Sequence, residues 1–260
     1  MLRMLDVVPE IVACDLHPDY RSTRYAEDTG LPILRIQHHA AHLASVAAEH
    51  RLHGSVLGVA LDGHGYGEGG AAWGGELMLV HGATWRRVGH LLPLVLPGGD
   101  RAAREPWRMG ISALHALGRS GEAGLRFYTF PLAARVAAML EVDAICPSTT
   151  SMGRLFDAAA ALLGLCTQQS YEGQAAMELE ALVTTPHCLP GGYRIAGNVL
   201  DFRPLLSALL RPGLEARAGV ELFHGTLIAG LAAWIGKAAD QIGHATIVLA
   251  GGCFLNRVLA

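Results

Sequence analysis

The sequence is poor in charge, and its cysteines are not paired in any recognisable pattern. Charged residues make up 17% of the 260 residues and the formal net charge is -3, so no basic stripe for nucleic-acid phosphates is present. Nucleic-acid binding is therefore not expected. No two cysteines are spaced as CxxC, which argues against a disulfide framework and against a zinc ribbon. The five are Cys14, Cys146, Cys166, Cys188 and Cys253. A cytoplasmic location, where thiols stay reduced, fits this usage best.

Long apolar runs are also missing. No segment approaches about 18 uninterrupted apolar residues, and the first 20 residues lack a signal-peptide pattern, so we expect a soluble protein without a membrane span. The hydrophobic content of 51% is ample for one large domain or two small ones. Because strand-like residues occur almost at once and a helical pattern has barely begun at 251–260, we expect the chain to be part of a longer polypeptide, truncated at both ends.

Hydrophobic periodicity predicts a mixed α/β fold. Short apolar runs with β-branched residues predict buried strands at 10–18, 31–39, 56–63 and 245–252, the last leading into a helix. Glycine-separated runs over 70–94 predict hairpins, which a purely parallel sheet would not contain. Helices are predicted at 38–50, 105–118, 132–140, 151–165 and 171–183. A hairpin strand leading into a helix is expected over 192–210, and a long helix from residue 223.

The clearest chemical signal is the histidine-rich start of the first predicted helix. His38 and His42 are four residues apart and therefore share one helical face, whereas His39 points elsewhere. The following strand places Asp62 at its end, beside that helix. Two imidazoles and one carboxylate suit Zn²⁺ or Fe²⁺ with open positions for a substrate. The alternative is that these are surface or helix-capping histidines.

Three further segments carry weaker signals. The glycine-rich run after Asp62 could let backbone N–H groups approach a phosphate, although an ordinary hairpin turn has the same composition. Hydroxyls and a glycine precede a helix whose first turn is expected to carry Asp157, a placement suited to a sugar hydroxyl; the alternative is simple N-capping by Ser148–Ser151. A double glycine at 251–252, followed by Asn256, could hold a nucleotide or form only a tight turn. Cys253 is more typical of a small core residue than of a nucleophile.

Six motifs, taken in order, closely resemble the C-terminal, threonylcarbamoyl-transferase-like domain of the hydrogenase maturation carbamoyltransferase family (HypF). They are QHHAAH, LDGHGYGEGG, PGGDRAAREPWRMG, SMGRLFDAAAALLG, YEGQAAMELE and GGCFLNR. The resemblance covers nearly the whole chain. That domain is similar to tRNA threonylcarbamoyl transferase and antibiotic O-carbamoyltransferase domains, which share the actin-like, sugar-kinase and Hsp70 type of ATPase fold.

The resemblance implies a duplicated α/β architecture of two lobes, with mixed sheets flanked by helices. Residues 1–100 would form the first lobe with the metal motif, and residues 101–260 the second lobe with the nucleotide contacts. One divalent metal, Fe²⁺ or Zn²⁺, would be held by His38, His42 and Asp62, which would be catalytic through it. The family often has QHHHAH, and Ala40 stands here in place of its middle histidine. It places a last metal-ligating aspartate in a segment beyond Ala260.

The nucleotide contacts implied by the resemblance fall into three groups. The phosphate side would involve Gly63 and Gly65. The sugar side would involve Ser151, Gly153, Asp157, Glu172 and Gly173. The opposite side of the nucleotide would meet Gly251, Gly252 and Asn256.

The implied reaction is transfer of a carbamoyl group from carbamoyl adenylate, formed from ATP, to the C-terminal cysteine of a HypE-like acceptor protein. The thiocarboxamide product is a precursor of the cyanide ligands of [NiFe] hydrogenase. The acylphosphatase, zinc-finger and adenylate-forming modules of the family would be partners, whereas membranes would not.

Three other functions stay open from the sequence. One is a nucleotide-binding docking module of the same fold without turnover. Another is an O-carbamoyltransferase or tRNA threonylcarbamoyl transferase relative. The third is a kinase or phosphatase-type ATPase, which would bind Mg²⁺ through oxygens and would not need paired imidazoles.

Overall fold

A computed structural model describes residues 7–142, 146–243 and 246–260. A small parallel sheet pairs β1 (Val12–Asp15) with β2 (Ile33–Ile36), and helix α1 (Arg21–Asp28) connects them. Helix α2 (His38–Glu49) follows β2 almost directly. The small sheet therefore leads the chain straight into the histidine motif.

The main sheet has eight strands of both directions. They are β3 (Val56–Tyr66), β4 (Ala72–His81), β5 (Thr84–Leu91), β6 (Leu94–Val95), β7 (Ser148–Thr149), β8 (Arg194–Ala196), β9 (Val199–Asp201) and β10 (Ile247–Ala250). The order is β10-β3-β4-β5-β9-β8, and β7 pairs with β4 and β6. Strands β3, β4 and β5 are antiparallel, while β10 is parallel to β3 and β9 to β5. The predicted mixed α/β fold is thus confirmed.

The helices that follow the hairpins supply the rest of the core. They are α3 (Arg101–Arg104), α4 (Pro106–Ala116), α5 (Ala123–Arg126), α6 (Ala133–Leu140), α7 (Met152–Leu162), α8 (Gln174–Leu182), α9 (Arg203–Leu209) and α10 (Ala216–Ile242). Proline occupies the first position of α4, where its missing N–H costs no helical hydrogen bond. A hydroxyl caps α7, because Ser151 Oγ accepts a hydrogen bond from the Arg154 N–H.

Alternation of side chains along β3 gives the sheet an apolar surface on both faces. Leu57, Val59 and Leu61 join the main core, which includes residues of α4, α7 and α10. Val56 and Ala60 belong to the smaller core on the opposite face, which α2 covers. Successive side chains of a strand point to opposite faces, so one strand serves both cores. The result is a three-layer arrangement of helix, sheet and helix.

Helix α10 is long and apolar enough, by length and composition alone, to cross a membrane. Its 27 residues pack as a core helix, and 56% of its most apolar window is buried inside the protein. Phe223, Leu227 and Trp234 are almost completely buried. These burials explain its apolar composition without a membrane.

Several sequence predictions need correction. The strand predicted to end at Asp62 continues to Tyr66, with a register shift between Leu61 and Gly65. The strands β1, β2 and β10, predicted to be buried, are partly exposed because they are at the sheet margins. The double glycine leads into a short 3-10 turn (Gly252–Leu255) instead of an α-helix.

The lobe boundary at residue 100 stays a prediction. The main sheet nevertheless contains strands from both sides of it, because β5 pairs directly with β9.

Candidate functional site

The side chains of His38, His42 and Asp62 converge at one point. Their possible ligand atoms all lie within 4.8 Å of one another. The two Nε2 atoms are 3.2 Å apart, and Asp62 Oδ2 is 3.6 Å from His38 Nε2 and 3.0 Å from His42 Nε2. The expected convergence is therefore present, while the role of these residues as metal ligands stays a prediction.

Packing and capping set the position of α2 against β3. The Gln37 side chain accepts a hydrogen bond from the Ala40 N–H at 2.8 Å and donates one to the Tyr66 carbonyl at 3.2 Å, so the cap is attached to β3. Leu43, fully buried, packs on Gly58, where an added Cβ would lie 2.4 Å from a Leu43 methyl carbon. This close approach brings the histidine face next to the strand that carries Asp62.

Asp15 is a member of this site that the sequence did not reveal. Its Oδ2 lies 2.8 Å from His38 Nδ1, so His38 donates with Nδ1 and leaves Nε2 to face Asp62. The pKa of His38 is raised by the hydrogen bond with Asp62 and, further, by Asp15, against the opposing effect of burial. No local pattern pointed to Asp15, because it is the parallel pairing of β1 and β2 that places it beside Ile36, two residues before His38.

His39 is separate from the site, as predicted. Its ring is fully buried, and its Nδ1 lies 3.1 Å from the Gln37 side-chain amide. Burial lowers the pKa of His39 to about 3, so the ring is neutral at ordinary pH. It acts as a packing element between α2 and β3.

Gly63 and Gly65 lie in the extended strand β3, whereas Gly67, Gly69 and Gly70 lie in the turn that joins β3 to β4, as the hairpin alternative predicted. An added Cβ on Gly65 would lie 2.3 Å from His39 Cε1 and 2.9 Å from His38 Cδ2, so Gly65 permits the rings to approach β3. Gly63 faces Gly153, where an added Cβ would lie 2.8 Å from the Gly63 Cα. Whether Gly63 and Gly65 also meet a phosphate stays a prediction.

Ser151 attaches helix α7 to the strand of the metal motif. Besides capping α7, its hydroxyl lies 3.0 Å from the Asp62 carbonyl oxygen and 2.7 Å from that of Gly63. Thr149 Oγ1 in turn accepts from the Ser151 N–H. The N-capping alternative is thus confirmed for Ser151, and the cap also fixes where α7 starts relative to Asp62.

Asp157 lies deeper in α7 than predicted, at its sixth residue instead of its first turn. It is 2% exposed; its Oδ2 is 2.6 Å from Arg154 Nε, and its Oδ1 accepts from the Gln169 side-chain amide at 3.0 Å. Burial raises the pKa of Asp157 to about 6, although Arg154 and Gln169 oppose this. Both oxygens therefore have protein neighbours, and a sugar contact stays a prediction.

Two cavities share Gly63, Arg154 and Glu172 in their walls. We call the larger one, of about 440 Å³, the back cavity; the front cavity has about 420 Å³. The back cavity takes in most of the predicted metal and nucleotide residues, namely Asp62, Gly63, Gly153, Asp157, Glu172, Gly173, Gly252 and Asn256. His38, His42, Gly65, Ser151 and Gly251 do not line it.

The double-glycine segment has mainly structural contacts. Gly251 has a φ of 102°, and an added Cβ would lie 2.3 Å from the Leu61 carbonyl oxygen, so glycine is required. The Gly252 N–H donates to Asp62 Oδ1. Asn256 is buried; its Oδ1 accepts from two backbone N–H groups, and its Nδ2 lies 3.2 Å from His224 Nε2. Its place beside a nucleotide stays a prediction.

Cys253 has the properties of an inert thiol. Burial raises the pKa of Cys253 to about 12, which disfavours the thiolate that a nucleophile needs. The expectation of a small packing residue is consistent with this environment.

The sequence matches known protein families. The family model described as "Carbamoyltransferase, Kae1-like Domain, second subdomain" matches residues 58–260, and "HypF Kae1-like domain" matches residues 1–49. The chain belongs to the HypF carbamoyltransferase family. It is 54% identical over 258 residues to the carbamoyltransferase HypF of Rhizobium leguminosarum bv. viciae, covering 99% of this chain and 34% of that protein.

Two other comparisons agree with this membership. A carbamoyltransferase HypF homolog of Cupriavidus necator is 45% identical over 271 residues, covering 96% of this chain and 68% of that protein. The crystal structure of full-length HypF in the phosphate- and nucleotide-bound form matches with a TM-score of 0.90 and 32% identity, over 99% of this chain and 42% of that one. The predicted Kae1-like, ATPase-type fold is thus confirmed. The chain spans about a third of the Rhizobium relative.

Proposed function

We propose that this chain performs the carbamoyl-transfer step of [NiFe] hydrogenase maturation. In that step the carbamoyl group of carbamoyl adenylate passes to the C-terminal cysteine of a HypE-like acceptor protein. The observation that carries the proposal is Asp62, which faces both histidines of the motif and also lines the back cavity. The Asp62 carboxylate is therefore next to both the predicted metal position and the predicted nucleotide site.

The donor set fits one divalent metal, Fe²⁺ or Zn²⁺. His38 and His42 offer Nε2 atoms on one helical face, and Asp15 holds the His38 tautomer that leaves Nε2 free. Two imidazoles and a carboxylate are typical of these metals, whereas Mg²⁺ prefers oxygen ligands. The chemistry supplied by such a bound cation is polarisation of a carbonyl or phosphoryl oxygen.

The back cavity suits the nucleotide. Its volume of about 440 Å³ falls in the range of small-molecule sites, which is roughly 300–1,000 Å³. Gly173 at its wall has open space where a Cβ would lie, which leaves room for close backbone approach. We propose that AMP, as the leaving part of carbamoyl adenylate, lies here with its phosphate toward Asp62 and its nucleoside toward α8.

The front cavity is a separate route by which the acceptor protein could reach the site. Arg104 at its wall is exposed, and its guanidinium has no carboxylate partner in the described part of the chain. A terminal carboxylate, as carried by an acceptor that ends in cysteine, is a matching anion. We propose that the acceptor tail enters here, so that its thiolate reaches the carbamoyl carbon from the side opposite the nucleoside.

The transfer itself needs no redox partner. A bond forms between the acceptor sulfur and the carbamoyl carbon, and the bond from that carbon to the phosphate oxygen breaks. The electron pair stays with the oxygen of AMP, and the thiol proton has already passed to solvent. The other HypF modules would supply the carbamoyl adenylate, either in the same polypeptide or as partners, in a reducing cytoplasm.

The decisive experiment is metal analysis of the purified chain with His38→Ala and His42→Ala variants. We expect about one Fe²⁺ or Zn²⁺ per chain, lost in both variants. The matched control is His187→Ala, since His187 is exposed and lies in another part of the fold. Binding of AMP without any metal would contradict the transferase proposal and would favour a docking module; binding of neither would also contradict it.

A further inference from the structure

Arg154 combines deep burial with unused hydrogen-bond donors. The residue is only 9% exposed, yet its one close carboxylate contact is from Nε to Asp157. In the described part of the chain, neither terminal nitrogen of the guanidinium has an assigned acceptor, and the side chain lines both cavities. The two terminal nitrogens are not among the fully buried atoms, so they are open to the cavities, where an acceptor from outside the chain can reach them.

We infer that Arg154 binds the phosphoryl group of the nucleotide where the back and front cavities meet. This inference rests on the proposed function, and it assigns one residue to the anionic part of the substrate. Arg154 would then be a catalytic residue in the strict sense, because it touches the group from which the carbamoyl carbon departs.

The surroundings of Arg154 hold its guanidinium ready for a phosphoryl group. Asp157 occupies the Nε side and is itself held by Gln169, so the guanidinium is fixed from behind. A guanidinium fork matches the spacing of phosphoryl oxygens and can donate two parallel hydrogen bonds. Arg154 is also the third residue of α7, an 11-residue helix whose N-terminus favours negative charge.

The same position is close to the predicted metal ligand. Gly153, next to Arg154, packs so tightly on Gly63 that an added Cβ would lie 2.8 Å from the Gly63 Cα. A phosphoryl group held by Arg154 would therefore lie near the backbone that carries Asp62. Carbamoyl adenylate held this way would keep its carbamoyl carbon near both the metal motif and the front cavity.

The charge that develops in the reaction strengthens this assignment. When the carbon–oxygen bond breaks, the departing phosphate of AMP gains one negative charge. A cation already fixed at that oxygen stabilises the transition state more than the substrate, which is the requirement for a rate effect. Arg154 is thereby placed to assist departure of AMP as well as to bind it.

The test compares AMP with adenosine, since only AMP carries the phosphoryl group. In calorimetric titrations of the full 260-residue chain, Arg154→Gln should weaken AMP binding by about ten-fold or more and leave adenosine binding within about two-fold. Arg119→Gln is the matched control, because Arg119 pairs with Glu122 on the surface and should change neither affinity. Arg154→Lys should restore part of the AMP preference, because a lysine supplies charge without the fork.

Removal of Arg154 leaves Asp157 buried without its partner, so the single variant could fail to fold. The double variant Arg154→Gln/Asp157→Asn removes both charges and serves as the second test, with folding checked by circular dichroism. If the wild type prefers AMP and a folded variant keeps that preference, the assignment to Arg154 is wrong while the proposed function stands. If the wild type does not prefer AMP over adenosine, the nucleotide part of the proposed function itself fails.

Discussion

Asp15 determines which nitrogen of His38 faces the predicted metal position. The carboxylate accepts from Nδ1, and such partners of ligating histidines affect metal affinity by about 10- to 100-fold. We therefore expect Asp15→Asn to weaken Zn²⁺ or Fe²⁺ binding by at least about ten-fold, measured by competition with a chelator. Nucleotide affinity measured in the absence of metal should not change.

The control for this prediction is Asp19→Asn. Asp19 is an exposed carboxylate four residues away that pairs with Arg24 on the surface. Equal metal affinities for the Asp15 and Asp19 variants would show that Asp15 does not position His38.

Asp157 makes stability depend on pH in a direction opposite to that of an ordinary carboxylate. Burial raises its pKa from 3.8 to about 6, so the folded state binds this proton more tightly than the unfolded state. Its contribution to stability is complete below about pH 4 and is lost as the pH rises through about 6. Relative to Asp157→Asn, the wild type should lose up to about 3 kcal/mol of unfolding free energy between pH 4 and pH 7.

Urea unfolding of both proteins at several pH values measures this difference, and effects of all other groups cancel in the comparison. A difference that is constant with pH, or that grows with pH, would contradict the raised pKa.

Sequence reasoning found some of these side chains and missed others for a physical reason. His38 and His42 were predictable because spacing within one helix is a local property. Asp15 and Arg154 were not, since their roles depend on contacts between distant segments. Asp157 was predicted as a contact for a sugar hydroxyl; its spacing of three residues from Arg154 in one helix allows the pair, but spacing alone does not show that both side chains are buried.

Helix α7 is placed against β3 by two glycines in contact. Ala in place of Gly153 would push a Cβ to 2.8 Å from the Gly63 Cα, and backbone cannot yield as a flexible side chain can. We expect Gly153→Ala to lower the unfolding free energy by about 1–3 kcal/mol and to weaken AMP binding. Urea unfolding and calorimetry measure the two effects.

Gly236→Ala is the matched control for this element. Gly236 lies within α10, where an added Cβ meets nothing within 4 Å, so alanine should be neutral or stabilise the helix by about 0.5–1 kcal/mol. A Gly153 variant as stable as wild type would show that α7 can shift freely.

The sequence predicted which segments form helices and strands better than it predicted where those helices and strands end. Long helices such as α7 and α10 carry a periodic signal over many residues. The continuation of β3 to Tyr66 was missed, because glycines at alternate positions resemble a turn, whereas pairing with β4 keeps them extended. The pairing of β3 with β4 is a long-range contact, and a local sequence pattern does not predict it.

The parts of the chain before and after residue 100 both contribute to the main sheet and to the main core. Strand β5 pairs with β9, and the Leu92 N–H donates to the Leu200 carbonyl at 2.8 Å. Leu57 and Leu77 pack in the same core cluster as Phe223 and Trp234. We expect the separate pieces 1–100 and 101–260 to lack cooperative unfolding, while the full chain shows it.

Thermal unfolding followed by circular dichroism tests this expectation. A cooperative transition in either piece alone would show that the predicted lobes are independent folding units.

The double attachment of the Ser151 hydroxyl, to Asp62 and Gly63 on one side and to the start of α7 on the other, has a thermodynamic consequence. A ligand that immobilises the Asp62–Gly63 segment also restrains the start of α7, and the reverse holds as well. The first ligand therefore reduces the conformational entropy that is lost when the second ligand binds. Metal and nucleotide should therefore enhance each other's affinity by the same factor, whichever arrives first.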